Sequence, residues 1–348
     1  MDKRKRRIRQ VIYIITILLL VIYFMFLFQR GKETGPIILN GDENLIKEVK
    51  QSYEFKKKVA EYISSLSDEN GFDVSKNDVK SPSIRTTYLG ADILDKIRFG
   101  KYNKKKIASM LEQSYNNGGF YKTADADNPI QETFFAVKLS KLLGIGINPK
   151  VNLWIRERLN EKQSDENYYY LYCSLKETGK LDKSLVNDYL KSLKVISKTQ
   201  GIEVDDSKSK FNWLKRLGLI LNKDVTNLTK ATQKEDYYLE GDATNERLYF
   251  AWKALKCLDA DNLDRSLLCL KYRQIDIATS RTLDSLYTRL SLIEEFCGKK
   301  YDVDKKLLTL SRFYNPDSGS FFIKRGEHNS IYPTYLGIDL LDKIGLLE

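Results

Sequence analysis

Two adjacent carboxylates, Asp205 and Asp206, lie in the polar segment KTQGIEVDDSKSKF, two residues after a third acid, Glu203. Closely spaced carboxylates shift one another's pKa, which suits one of them to act as a general acid. Acids are also favoured where a helix begins, because they cap free N–H groups and interact well with the helix dipole. The polar surroundings favour the capping role, and general acid chemistry is the alternative.

Three further acids lie where predicted second helices begin: Glu132, Glu246 and Asp284. Glycoside hydrolysis uses two carboxylates that face each other across a cavity, and two of these acids would suffice for such a pair. Capping explains their positions equally well. Together with Asp205 and Asp206 they are the candidate catalytic residues.

Metal and cofactor chemistry has little support in the sequence. His328 is the only histidine, and the four cysteines form no C-x-x-C pair. A zinc site needs several nitrogen or sulfur ligands close together, and one histidine does not supply them. We therefore expect no metal and no cofactor. Each cysteine lies in an apolar helical context, which predicts isolated buried thiols, with a bridge between Cys257 and Cys269 as the alternative.

The first thirty residues differ from the rest of the chain. Residues 1–10, MDKRKRRIRQ, are strongly basic, and residues 11–28, VIYIITILLLVIYFMFLF, contain neither a charge nor a proline. A helix of this length reaches about 27 Å, close to the thickness of a bilayer core. Because no small-residue cleavage pattern follows, the segment predicts an uncleaved transmembrane signal-anchor helix rather than a signal peptide.

Basic residues stay on the cytoplasmic side of a membrane helix. The sequence thus predicts a single-pass plasma-membrane protein with a cytoplasmic N-terminus, a linker at residues 29–44 and an extracytoplasmic domain at residues 45–348. The net charge is +11, and the first thirty residues supply six of these charges. The domain has no basic stripe interleaved with aromatic residues, which argues against a nucleic-acid partner.

One helix occurs twice in the domain. TYLGADILDKI, Thr87–Ile97, and TYLGIDLLDKI, Thr334–Ile344, match at nine of eleven positions, and ETFFAVKLSKLLG at 132–144 is a weaker third copy. Apolar residues recur at the spacing of one helix face. The residues predicted to be buried on this face include Leu89, Ile93, Leu336 and Leu340.

A turn with glycine and an aromatic residue precedes each copy: ENGFDV, NNGGFYKT and DSGSFFIK. The repeating unit is therefore a helix, a Gly-aromatic turn and a second helix, which is typical of stacked helix pairs. An open stack needs distinct capping repeats at its two ends. Because the first and last copies are the most alike, we predict a closed ring in which the helices from Thr87 and Thr334 pack against each other.

This repeat resembles that of the prenyltransferase and squalene/terpenoid cyclase repeat family. LEQSYNNGGFY has the family's glutamine and Gly-x-aromatic turn at Gln113, Gly118 and Phe120, with phenylalanine where the family has tryptophan. The resemblance implies an (α/α)6 toroid. The predicted fold class is thus all-α: an N-terminal transmembrane helix followed by an α/α toroid of about six or seven helical hairpins, with essentially no sheet.

The family's catalytic motifs are mostly absent. Where the resemblance would place zinc ligands, Asp284 is present without a cysteine, and Ser330 stands in place of the histidine. The cyclase acid motif Asp-x-Asp-Asp is similar to the segment 203–206, but Ser-Lys-Ser follows it instead of the family's Thr-Ala. The resemblance therefore predicts the fold better than it predicts an activity.

We predict a membrane-anchored extracytoplasmic toroid that acts as a binding or scaffolding module at the membrane or cell-wall surface. Its ligand would be an envelope glycan, a lipid or a protein. The alternative is a glycan-active or terpenoid-cyclase-like enzyme on the same fold. An enzyme would place two or more of the candidate acids in one pocket with shifted pKa values, whereas a binding module would use them as caps. Aromatic clusters at Tyr168–Tyr170 with Tyr172 and at Tyr249, Phe250 and Trp252 line a cavity or, more commonly for such residues, pack between helices.

Overall fold

The structure is a computed structural model, and the residues that it describes begin at Asp42. They are 42–67, 71–75, 82–123, 127–161, 163–181, 185, 249–250, 252–254, 256–258, 277, 280–297, 303–324 and 327–347. The chain divides into two units, Met1–Asp42 and Glu43–Glu348, and all described residues except Asp42 belong to the second unit. This described part is mostly helical.

The predicted N-terminal transmembrane helix is not supported. Among the described residues, no helix is both long and apolar enough to cross a membrane. The longest have 15 residues, a length of about 22 Å against the roughly 30 Å of a hydrocarbon core. Residues 11–28 lie outside the described residues. The predicted fold class and the signal-anchor assignment are wrong in this part, and a mostly helical chain is what the structure supports.

Ten helices can be bounded within the described residues. They are α1 (Asp42–Lys50), α2 (Ser52–Ser65), α3 (Ile84–Ile97), α4 (Lys104–Ser114), α5 (Pro129–Leu143), α6 (Lys150–Leu159), α7 (Asp165–Glu177), α8 (Leu283–Cys297), α9 (Val303–Ser311) and α10 (Ile331–Lys343). The described residues of the 249–258 segment are also mostly helical. The predicted number of six or seven hairpins stays a prediction, because residues 186–248 lie outside the described ranges.

Two short antiparallel strand pairs lie at the predicted Gly-aromatic turns. Strand β1 (Tyr115–Asn116) pairs with β2 (Phe120–Tyr121), and β3 (Tyr314–Asn315) pairs with β4 (Ser320–Phe321). Gly119 and Gly319 have positive φ angles of 93° and 71°, which glycine adopts without strain. The sequence prediction missed these strands because two residues are too few to show an alternating pattern.

Within the described ranges, six helical segments pack side by side in a closed circuit, which we call the helix ring. Helix α3 packs on α5, α5 on α7, α8 on α10, and α10 on α3. The 249–258 segment occupies the remaining place, since the Phe250 ring lies 5.8 Å from that of Tyr169 in α7 and the Tyr249 ring 5.9 Å from that of Tyr287 in α8. Helices α2, α4, α6 and α9 pack against α3, α5, α7 and α8.

The predicted contact between the two matching helices is confirmed, because α3 and α10 are neighbours in the helix ring. The four residues predicted to be buried on their apolar faces are all at most 3% exposed: Leu89, Ile93, Leu336 and Leu340. Neighbouring helices at the closure of the ring therefore use the same packing solution, which explains why the chain repeats the segment.

The side chain of the repeated threonine joins each Gly-aromatic turn to the next inner helix by a hydrogen bond. Thr87 Oγ1 accepts a hydrogen bond from the Phe72 N–H at 3.4 Å, and Thr334 Oγ1 accepts one from the Phe321 N–H at 3.2 Å. In α5, Thr133 accepts the equivalent bond from the backbone of β2 at 3.0 Å. Without the threonine hydroxyl, each of these buried N–H groups would lose a hydrogen-bond acceptor. The repeated threonine therefore stabilises the fold rather than taking part in catalysis.

The repeated glycine makes room for the aromatic ring of the same turn. A Cβ added to Gly90 would lie 2.6 Å from Cγ of Phe72, and one added to Gly337 would lie 2.5 Å from Cγ of Phe321. Both phenylalanine side chains are almost fully buried. The helix backbone and the ring therefore touch directly, and only glycine fits between them.

The cysteine predictions are wrong. Cys173 in α7 and Cys257 form a disulfide with Cα atoms 5.0 Å apart, and Cys297 is disulfide-bonded as well. The pair is 84 residues apart in sequence. Cys257 therefore bonds across two neighbouring segments of the helix ring and not within a hairpin, and cysteine spacing alone does not show which segments are neighbours.

Candidate functional site

The helix ring encloses a cavity of about 570 Å³. Its described lining comes from the six inner segments and from Thr282, just before α8, and none of it comes from α2, α4, α6 or α9. Cavities of roughly 300–1,000 Å³ are typical of small-molecule sites. The geometry therefore places one ligand-sized space at the centre of the ring.

Each inner segment contributes an aromatic side chain to the cavity wall. We call these six side chains the aromatic layer: Tyr88, Phe134, Tyr169, Tyr249, Tyr287 and Tyr335. Neighbouring rings in the layer are close, with centroids 6.4 Å apart for Tyr88 and Tyr335 and 5.4 Å apart for Phe134 and Tyr169. At the centre of the helix ring these side chains face the cavity, in addition to the packing that is their more common role.

Charged side chains follow the aromatic layer along the same helix faces. Residues four positions apart in a helix lie on one face, so a side chain four or eight residues after a layer aromatic also points towards the axis of the ring. The cavity wall contains five such residues, which we call the charged layer: Lys96, Lys138, Lys253, Asp339 and Lys343.

Asp339 is the centre of a hydrogen-bonded network in the charged layer. Its Oδ2 accepts a hydrogen bond from the Tyr287 hydroxyl at 2.7 Å and lies 2.7 Å from Nζ of Lys343, while its Oδ1 pairs with Lys96. Lys96 also lies 2.9 Å from Oδ2 of Asp92 in α3. The network thus joins α3, α8 and α10 across the closure of the helix ring.

The two repeated aspartates differ in electrostatic environment. Burial alone would raise the pKa of Asp339, but Lys343 and Lys96 outweigh burial and hold that pKa well below its usual range. Asp92 occupies the matching position in α3, and there burial raises the pKa despite the nearby Lys96. The fold therefore stabilises the charge on Asp339 and disfavours the charge on Asp92.

Two tyrosines of the aromatic layer extend this network towards the 249–258 segment. The hydroxyls of Tyr249 and Tyr287 lie 3.4 Å apart. Burial raises the pKa of Tyr287 well above its usual value. For Tyr249 burial acts in the same direction, but the charges of Lys253 and Lys343 outweigh it and lower the pKa.

The opposite end of the cavity contains a second polar group around Asp284. Burial raises the pKa of this half-buried carboxyl, against the opposing effects of a hydrogen bond with Tyr332 and the charge of Arg85. The Arg85 guanidinium lies 4.8 Å from the ring centroid of Tyr332. Glu166, also in the cavity wall, accepts a hydrogen bond from the Tyr170 hydroxyl at 2.5 Å.

The predicted candidate acids are not brought together in the described part of the chain. Asp284 lines the cavity. Glu132 is 4% exposed and caps α3 instead. Its Oε2 accepts hydrogen bonds from the Ile84 N–H and the Thr123 hydroxyl, both at 3.2 Å. Burial raises the pKa of Glu132. Asp205, Asp206 and Glu246 lie outside the described residues.

Metal ligands do not cluster in the described ranges. No group of three or more His, Cys, Asp and Glu residues there could hold a metal ion. His328 is exposed in the loop before α10 and does not line the central cavity.

The charged layer was not predicted from the sequence, although a signal for it exists. The apolar stripe of the repeat explains the leucines and isoleucines but not why Asp92 and Lys96 recur as Asp339 and Lys343. In each copy the aspartate and the lysine lie four residues apart, on the helix face that begins with the repeated tyrosine. Identity at polar positions on one helix face indicates a shared polar environment, which here is the cavity.

Comparison with known proteins assigns no function. No family model matches the chain, and no curated protein is significantly similar to it. The resemblance to the prenyltransferase and terpenoid cyclase repeats therefore stays a prediction.

Proposed function

We propose that this protein is a binding module that takes a small glycan into the cavity of its helix ring. The observation that carries the proposal is the combination of the aromatic layer and the charged layer around one cavity of about 570 Å³. A sugar ring presents an apolar C–H face and a rim of hydroxyl groups. Aromatic side chains accommodate the face, and charged side chains make strong hydrogen bonds with the rim.

The other two predicted ligand classes fit this cavity less well. A lipid chain prefers an apolar wall, but charged groups line both ends: Arg85, Glu166 and Asp284 at one end and the charged layer at the other. Burying these charges against hydrocarbon would be unfavourable. A folded protein partner does not enter a space of this size, so a glycan is the ligand that the cavity favours.

An enzyme acting on glycans is the second candidate, and Asp284 supports it. This carboxyl lines the cavity together with Glu166, and its raised pKa suits a proton donor. A terpenoid-cyclase-like reaction is disfavoured, because four lysines in the charged layer would repel a carbocation. Release of reducing sugar from an oligosaccharide by the wild type, lost in Asp284→Asn, would favour the enzyme over the binding module.

A location outside the cytoplasm is part of the proposal. The disulfide between Cys173 and Cys257 supports it, since such bonds persist in oxidising compartments and are rare in the cytosol. Labelling free thiols in intact cells and in lysates, each after denaturation without reductant, tests the oxidation state in place. A reduced pair in cells would contradict this location.

Calorimetric titration of the full-length, oxidised protein with a panel of monosaccharides and short oligosaccharides tests the binding function. Replacing a layer aromatic, as in Tyr335→Leu, should weaken binding by about 2–10-fold, because one aromatic contact contributes about 0.5–1.5 kcal/mol. Tyr53→Leu is the matched control, since Tyr53 is 63% exposed on α2 outside the helix ring. Equal effects of the two substitutions, or no binding by any member of the panel, would refute the proposal.

A further inference from the structure

Lys253 differs from the other lysines of the charged layer. It is half-buried in the cavity wall, four residues after Tyr249, and its Nζ lies 5.4 Å from the Tyr249 ring centroid. The other lysines of the layer each have a carboxylate partner: Lys96 with Asp92 and Asp339, Lys138 with Glu177, and Lys343 with Asp339. Among the described residues, Lys253 forms no ion pair.

Nearby carboxylates are already occupied by other lysines. Lys253 also lines a smaller cavity of about 150 Å³, whose wall includes Glu294 and Glu295. Glu295 pairs with Lys256 at 2.9 Å, and Glu294 pairs with Lys306. Within the described part of the chain, the surrounding acids therefore leave the ammonium of Lys253 without a neutralising charge.

The electrostatic surroundings of Lys253 disfavour its positive charge. The neighbouring Tyr249 and, more weakly, Asp339 act to raise its pKa, but burial and the charges of Lys343 and Lys256 outweigh them and lower it. A half-buried cation in this position gains more from an added negative charge than a fully exposed one would, because solvent screens the interaction less.

We propose that Lys253 is the anion-binding residue of the central cavity and that the glycan ligand carries a carboxylate or phosphate group. This inference rests on the proposed glycan function and names the chemistry of its ligand. The described wall has five basic side chains, Arg85 and four lysines, against three acidic ones, Glu166, Asp284 and Asp339. An anionic group at Lys253 would offset part of this excess and supply the missing ion-pair partner.

Competition among three sugars and one free anion tests the assignment. Calorimetry on the full-length oxidised protein would use glucose, glucuronate, glucose 6-phosphate and inorganic phosphate. We expect at least one acidic sugar to bind about tenfold or more tightly than glucose, since charge-assisted hydrogen bonds are about twice as strong as neutral ones. The carboxylate and phosphate arms distinguish the two sources of negative charge.

Three variants connect the preference to Lys253. Lys253→Met keeps the length of the side chain without its charge and should abolish the preference, so that acidic sugars and glucose bind with similar affinity. Lys253→Arg should retain most of the preference. Lys105→Met, at an exposed position on α4, is the matched control and should behave like the wild type.

Dependence on pH provides a readout that a merely structural lysine would not change. An anion binds the protonated amine, so affinity for the acidic sugar should fall as the pH rises through the pKa of Lys253, which lies below its usual value. In Lys253→Arg this fall should disappear, because arginine stays charged. Tyr249, Lys256, Asp339 and Lys343 also act on Lys253, and the substitution leaves them in place.

The outcomes separate this inference from the proposed function. If glucose binds and the acidic sugars bind no more tightly, the anion site is refuted and the glycan function stands. If no sugar binds but phosphate binds the wild type and not Lys253→Met, the glycan function fails and the anion site stands. If neither phosphate nor an acidic sugar binds, or Lys253→Met keeps the preference, the anion site is refuted.

Discussion

Replacing Asp339 with asparagine removes a carboxylate that Lys96 and Lys343 share. In the structure Oδ1 pairs with Lys96, and Oδ2 lies 2.7 Å from both the Lys343 Nζ and the Tyr287 hydroxyl. Asp339 is 7% exposed, so water replaces little of what is lost. The repeat supplies a matched control, because Asp92→Asn makes the same change at the equivalent position of α3.

We expect Asp339→Asn to reduce the free energy of unfolding by about 3–5 kcal/mol, the range for breaking a buried ion pair from one side. Two ammonium groups would remain close together without their shared partner. Asp92→Asn should change stability by less than about 1 kcal/mol, since burial raises the pKa of Asp92 and its charge is already disfavoured in the fold.

Urea unfolding of the full-length oxidised protein, followed by circular dichroism, measures both values. The pKa of Asp339 is lowered in the folded state, so its stabilisation is present above the unfolded pKa of about 3.9 and is lost as the pH falls towards the folded pKa. The difference between wild type and Asp339→Asn should therefore be constant from about pH 8 to pH 5 and shrink below about pH 4. Equal losses in the two variants, or a difference that does not respond to acid, would refute this account.

Three further predictions test the packing and the disulfide. Gly337→Ala should destabilise the protein by about 1–3 kcal/mol in urea unfolding, because the added Cβ would lie 2.5 Å from Cγ of Phe321. The loss is expected although alanine is the better helix former. Gly146→Ala is the control, since no atom lies within 4 Å of the added Cβ. Glu132→Ala should lower the free energy of unfolding by about 1–3 kcal/mol in the same assay, because the Ile84 N–H loses its acceptor. Glu132→Gln should lower it by less than about 1 kcal/mol. A loss of glycan binding in Glu132→Gln would contradict the capping role. Cys173→Ser should lower stability by about 2–5 kcal/mol, because the bond closes a loop of 84 residues, and Cys257→Ser, which removes the same bond from its other side, should give a similar urea midpoint.

The helix ring was the most predictable feature, because its signals are local and periodic. The apolar stripe of the two matching segments identified Leu89, Ile93, Leu336 and Leu340 as buried, and their likeness predicted the contact between α3 and α10. The transmembrane helix was predicted from length and hydropathy alone, and the described helices do not support it. The Cys173–Cys257 bond could not be predicted, since it depends on which inner segments are neighbours.

The candidate site was predicted only in part. Of the acids predicted at helix starts, Asp284 lines the cavity and Glu132 caps a neighbouring helix. Sequence cannot separate these roles, because both place a carboxylate in the first turn of a helix. The two roles differ in whether the carboxylate lies next to an N–H group at the start of a neighbouring helix of the ring. Only the tertiary structure shows this.

The duplicated segment has two functions on two faces, and this explains why its polar residues recur. Thr334 and Gly337 hold the Gly-aromatic turn against the outside of α10, while Tyr335, Asp339 and Lys343 line the cavity. Because α3 and α10 meet where the ring closes, Lys96 of one copy reaches Asp339 of the other. The same ion pairs therefore close the ring and form the cavity wall. A ligand that binds this wall stabilises the closed ring by mass action, and a substitution that weakens the closure also weakens binding.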